Sequence, residues 1–179
     1  MQAIADTCFI VVWSKYSKSH ILEEVFNTIY IPVEALQEIK SENVRSFVSK
    51  LLTRKGRLYV PIPEVYREAE ELVFKVNQLG LGVHIELPES ICLVVGKRRG
   101  LVVLTENLGA VAIPHILETY ELVQVWRSLE IIYEACKREI LKQKSSSTFI
   151  RLIKEFETET GHKFRRSEVL KYVRRLWDT

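Results

Sequence analysis

Aspartate is nearly missing from this sequence: Asp6 and Asp178 are the only two among 23 acidic residues, and the others are glutamates. Cysteine is scarce too. Cys8, Cys92 and Cys136 are odd in number and far apart, which argues against a disulfide framework and against zinc-type spacing. Their apolar neighbours read as the surroundings of buried core thiols in a cytoplasmic protein, with a metal site as the lesser alternative. No uncharged apolar run approaches the roughly 18 residues of a membrane span, so no membrane partner is expected. The first residues lack a basic segment, a longer apolar stretch and a small-residue cleavage site, so secretion is not expected either. There is no glycine-rich phosphate loop and no Gly-x-Ser-x-Gly elbow. His20, His84, His115 and His162 are scattered without spaced partners and read as surface or core residues.

What is present is a composition with a real core. The 179 residues are 47% hydrophobic and 27% charged, enough for one domain or one domain with a small appendage. The net charge of +3 hides an asymmetry. Residues 1–141 carry 16 Lys+Arg against 18 Asp+Glu, a balance of −2, and residues 142–179 carry 10 against 5, a balance of +5. A mildly acidic body with a basic tail points to a nucleic-acid partner. The competing reading is a solvated, salt-bridged helical face.

Along the chain, strand and helix signals alternate. Residues 2–5 read as a short apolar strand that stops on Asp6, and a helix follows. A helix over residues 21–27 leads to a β-rich run at 28–31, and Pro32 opens the next helix. The pattern continues with a helix over 42–54 ended by Gly56, a strand at 58–60 and a helix over 64–79. Next come a short strand at 83–85 and a helix opened by Pro88, loosened at Gly96 and ended at Gly100. Residues 101–104 are wholly apolar, as in a central strand covered on both faces. A weak helix after Pro114, an alternating run at 120–126 and a helix over 128–141 complete the body. Alternation of this kind predicts a three-layer α/β/α domain over residues 1–141, with a mostly parallel sheet of about five strands. Residues 142–147 read as a linker. Helices at 148–160 and 167–177, the second capped by Ser167, form a hairpin that packs on the body or on a second subunit.

Acid and amide groups recur where strands should end or helices begin: Asp6, Glu34 with Glu38, Glu89, and Glu106 with Asn107. In open α/β sheets ligands gather at the carboxyl ends of the strands, and a carboxylate there is costly to bury without a cation or a partner. Hard divalent cations take such oxygen ligands from separate elements. Each acid has a plainer reading: Asp6 as a helix cap, Glu89 and Glu106 as acids favoured near helix starts, Glu38 as an exposed helix acid.

Four pieces in order resemble the PIN-domain nucleases. Ile4-Ala5-Asp6-Thr7 is similar to the family's opening strand ending in Asp-Thr/Ser, and Tyr30-Ile31-Pro32 through Glu38 to its Ile-Pro segment with a Glu six residues on. Pro88-Glu89-Ser90-Ile91 through Gly100 resembles the Gly-Glu-x-x-x-Ile helix of one prokaryotic branch. Thr105-Glu106-Asn107 stands where the family has an acidic pair. The closing segment 125–130 is similar as well. The resemblance covers residues 1–141 and implies an endoribonuclease, toxin-type or RNA-processing, that uses Mg²⁺ or Mn²⁺ on single-stranded or structured RNA. An antitoxin or other protein partner and a homodimer fit the same implication. Carried over, Asp6, Glu38, Glu89 and Glu106 hold the metal, with Asn107 as a neutral ligand and Thr7 and Thr105 in support. Glu34 is then the solvent-facing member of its pair. Glu89 and Glu106 stand where Asp is common, and Pro88 replaces the Gly. The alternative implication is therefore a weak or inactive module that binds RNA or a partner protein. Outside the resemblance, Arg165, Arg166, Lys171, Arg174 and Arg175 cluster around the last helix, where they would extend an RNA track.

Overall fold

The computed structural model describes residues 1–140 and 145–177. Five strands form one sheet: β1 (Gln2–Ala5), β2 (Thr28–Pro32), β3 (Gly56–Tyr59), β4 (Val102–Leu104) and β5 (Val125–Trp126). All four pairings are parallel and the order is β3-β2-β1-β4-β5. From the central β1 the chain first winds towards β2 and β3, then crosses back to β4 and β5. β1 and β4 therefore flank the point where the winding reverses, which opens a crevice at their carboxyl ends.

Strand alternation sorts the sheet's side chains into two cores. Ala3, Ala5, Ile29, Ile31, Val102 and Leu104 face a layer built from α1 (Thr7–Trp13), α2 (Ile21–Val25), α4 (Glu42–Arg54) and α8 (Ser128–Lys137). Ile4 and Val103 face the opposite layer, α5 (Pro63–Gln78), α6 (Leu87–Arg99) and α7 (Leu108–Ile116). The three-layer α/β/α architecture expected from the sequence is the one observed. α3 (Val33–Glu38) links β2 to α4. Every residue of α6 from Pro88 to Gly96 is buried, so this helix is the middle element of its layer.

Several local expectations are corrected. Gly96 does not loosen α6, which runs on to Arg99; a Cβ at position 96 would come 2.4 Å from Val103 Cγ2, so glycine lets the helix lie against β4. Gly100, at φ 64°, ends the helix in the left-handed region. Residues 83–85 form no strand, and Pro114 lies inside α7, near its end, instead of before a helix. α4 does end at Arg54 as expected, with Lys55 as its cap, and Gly56 just past it opens β3.

The basic hairpin docks on the body. It consists of α9 (Ser146–Thr160) and α10 (Arg166–Trp177), and Ser167 lies within the first turn of α10, so it is not the cap. Ser145 caps α9 by accepting from Thr148 N at 3.1 Å, so residues 146–147 of the expected linker are instead the first turn of that helix; residues 142–144 lie outside the described residues. Phe149, Leu152, Ile153, Phe156 and Phe164 enter the same core as Trp13 and Ile132. The Phe156 ring sits 5.4 Å from that of Trp13 and 4.9 Å from that of Tyr16. Each fully buried side chain of this size contributes about 1.5–3 kcal/mol, so the hairpin is part of the folded unit.

Candidate metal centre

Asp6 is the first residue after β1, and its backbone N–H donates to Leu104 O of the neighbouring strand at 3.1 Å. It also caps α1, with Oδ1 accepting from Phe9 N at 2.9 Å and from the Cys8 thiol at 3.0 Å. The side chain is completely buried, and Oδ2 has no hydrogen-bond partner among the described residues. Burial pushes the carboxyl up to about 7. The nearby Thr105 hydroxyl, the Cys8 thiol and the Phe9 N–H, all of which favour the anion, do not offset it, and the Glu89 charge adds to it. Capping thus accounts for one oxygen of Asp6 and leaves the other unexplained.

Glu89 reaches the same place from the first turn of α6. It is buried, Oε2 accepts from Glu86 N at 3.2 Å in a reciprocal capping box, and Oε1 lies 3.5 Å from Asn107 Nδ2. Cys8 supplies the third group. Its sulfur lies 3.6 Å from Thr105 Oγ1 and accepts from Glu106 N at 3.3 Å, and burial together with Asp6 pushes the thiol well above its usual range. Asp6, Cys8 and Glu89 each place one donor atom within 4.8 Å of the others. Neutral groups alone would leave a buried carboxylate oxygen costly. A divalent cation fits this donor set, because it would take up the unpartnered oxygen and relieve the repulsion between the two acids.

The remaining expected residues are placed differently. Glu34, expected to face solvent, is buried; its Oε1 accepts from the Tyr66 hydroxyl and its Oε2 has no partner among the described residues. Glu38 is the exposed member of the pair, held by the Thr7 hydroxyl at the N-terminus of α1. The reversal has a plain cause. α3 is only six residues long, and Tyr66 on α5 fixes which side of it turns inward.

Glu106 is fully engaged. Oε1 accepts from Ser128 N at 2.7 Å and from the Ser128 hydroxyl, which in turn accepts from Trp13 Nε1 at 2.8 Å. Oε2 lies 3.4 Å from Arg127 Nε and 3.0 Å from His162 Nε2. Burial opposes its ionisation, yet His162 and Ser128 outweigh it and hold the carboxyl below its usual range. Asn107 Oδ1 caps α7 through Gly109 N at 2.7 Å, and Thr105 Oγ1 accepts from Asn107 N at 2.9 Å.

Sequence reasoning missed Cys8 as part of this cluster, although its place two residues beyond Asp6 in the same first helical turn was a usable signal. His162, read as a bystander, had none, because its partner lies 56 positions away in the sequence and on another element. Arg165, Arg166, Lys171, Arg174 and Arg175 are all exposed, with Arg175 lying 5.2 Å from the Tyr172 ring centre. No helix among the described residues is long and apolar enough to cross a membrane.

No family model and no curated protein matches the chain. Among solved structures, the chain is similar to one in the crystal structure of VapBC2 from Rickettsia felis bound to a DNA fragment from their promoter. Identity is 16%, 71% of this chain and 98% of that one are covered, and the TM-score is 0.49.

Proposed function

We propose that this protein is a metal-dependent endoribonuclease of the PIN kind. The observation that carries the proposal is the buried Asp6 carboxylate, with one oxygen unpartnered, beside Glu89 at the switch point of an all-parallel sheet. Asp6 and Glu89 would hold Mg²⁺ or Mn²⁺, with Glu34 and Glu38 offered from α3 on the neighbouring strand's side. The bound cation would supply neutralisation of phosphate charge and activation of water for attack on the phosphodiester. The protein's part is positional. Phe9 N fixes the Asp6 carboxylate, Glu86 N fixes that of Glu89, and Thr7 orients Glu38 at the rim. The exposed arginines of the hairpin would draw in RNA that the acidic pocket alone repels. RNA is the substrate class, for an enzyme of the toxin type or the RNA-processing type, and a protein partner of the antitoxin kind or a second copy fits the same reading.

One observation favours a second reading. Both oxygens of Glu106 and the Asn107 carbonyl are taken up by the protein itself, which leaves fewer ligands than the family pattern supplies. A module that binds RNA or a partner without cutting would look like this. The two readings separate when the pure protein is incubated with single-stranded RNA and Mg²⁺ or Mn²⁺. A nuclease gives cleavage that a chelator abolishes and that Asp6→Asn lowers by at least about 100-fold, since even outer-shell changes cost 10–100-fold. RNA retention without cleavage, equal in wild type and Asp6→Asn, would establish the second. Cleavage that survives Asp6→Asn would come from a contaminant.

A further inference from the structure

We propose that Cys8 is a ligand of the cation held by Asp6 and Glu89, so that the site takes a thiophilic divalent ion, of the Zn²⁺ and Co²⁺ class, in preference to Mg²⁺. This rests on the metal-site reading above and replaces its choice of Mg²⁺ or Mn²⁺ with a softer ion. The three cysteines of the chain make the contrast. Cys92 and Cys136 lie within the two apolar cores. Cys8 is packed among polar groups instead: Asp6 Oδ1 at 3.0 Å, Thr105 Oγ1 at 3.6 Å and Glu106 N at 3.3 Å. The Glu106 N–H donates to the sulfur and fixes its direction, as outer-shell groups do for ligands.

The spacing agrees. Ligands of one ion at roughly 2.0–2.3 Å from it cannot lie much further apart than the 4.8 Å within which Asp6, Cys8 and Glu89 place their donor atoms. An independent observation points to the same spot, because the fully buried Asp6 keeps Oδ2 without a partner. Mg²⁺ demands oxygen ligands in near-ideal octahedral order, whereas a thiolate with two carboxylates suits a softer, lower-coordinate ion. On binding, the metal–sulfur bond replaces the S–H bond, and the proton leaves to solvent. No change of oxidation state is involved.

Cobalt is the direct probe, because a cobalt–thiolate bond adds a near-ultraviolet charge-transfer band that oxygen ligands do not give. The full-length protein, stripped with a chelator, is titrated with Co²⁺, and Zn²⁺ and Mg²⁺ are then compared as competitors. The expected result is a charge-transfer band that Zn²⁺ erases and Mg²⁺ does not. Cys8→Ser should still bind Co²⁺, about 10–100-fold more weakly, with the band gone; Cys8→Ala serves the same comparison if circular dichroism shows the serine variant misfolded. Asp6→Asn should remove the band as well. Cobalt bound with an oxygen-only spectrum would overturn the role of Cys8 and leave the metal site standing. A band that survives Cys8→Ser would assign the thiolate to another cysteine and overturn it too. A folded protein that binds none of the three ions would overturn the metal-site reading itself, and this proposal with it.

Discussion

Asp6 and Glu106 stand just beyond the carboxyl ends of adjacent strands, yet their titrations push stability in opposite directions. Asp6 titrates near 7 in the folded protein and at about 3.9 in an unfolded chain. Between those values the folded state keeps a proton that the unfolded state has lost. Its contribution without metal is therefore best below about pH 4 and falls by up to about 1.4 kcal/mol per pH unit towards pH 7, after which it is level. Denaturant titrations of chelator-treated protein should show Asp6→Asn gaining stability over wild type at pH 8 and little at pH 4; the same difference at both would refute the assignment. Glu106 is lowered, so its contribution is complete above the usual glutamate range and is lost as pH falls through its depressed folded value. Glu106→Gln should accordingly cost most at neutral pH and progressively less in acid. Asp6 was legible in the sequence because an apolar strand ending on a short carboxylate is a local pattern. The shared cluster with Cys8 was not, since an apolar run hides a thiol whose polar neighbours come from β4's far end.

At the scale of elements, α6 is the piece most exposed to a single methyl group. Gly96→Ala would press a Cβ to 2.4 Å from Val103 Cγ2, an overpacking that costs about 1–3 kcal/mol. Val103→Ala in the same chain should recover part of that loss, and a double-mutant cycle by thermal or urea unfolding would measure it; strictly additive effects would mean the helix moves instead. Element types were readable where a pattern was long, as in α4 and α5. The short strands β1 to β4 were readable too, whereas bounds and facing were less so: the alternating run at 120–126 yields a strand only at Val125–Trp126, 83–85 forms none, and the facing of α3 depends on Tyr66 from α5. The hairpin's destination was likewise open in the sequence, since its apolar stripe fits any apolar partner. Its docking on Trp13 and Tyr16 predicts that Phe156→Ala destabilises the whole protein by about 3–5 kcal/mol in one cooperative transition. A separate early transition for the hairpin alone would contradict that.

Over the whole molecule, charge and site are divided between parts that the core then joins. The balance is −2 over residues 1–141 and +5 over residues 142–179, so under the proposed function the hairpin's arginines would answer phosphates that the acid cluster repels. Neutralising Arg165, Arg166, Arg174 and Arg175 together should weaken RNA binding and flatten its dependence on the logarithm of salt concentration, by up to about 0.7 for each phosphate no longer neutralised on a single strand. An unchanged slope in a filter-binding series would mean these residues are only solvated. The hairpin also reaches back into the body through His162 on Glu106 and through Glu168, 3.4 Å from Arg127. That bridge sets an order in time. A ribosome adds about 5–20 residues per second, so the 56 positions between Glu106 and His162 separate their synthesis by roughly 3 to 11 s. For that interval a growing chain carries the acid without the histidine that steadies it, and the finished arrangement arrives only with the hairpin.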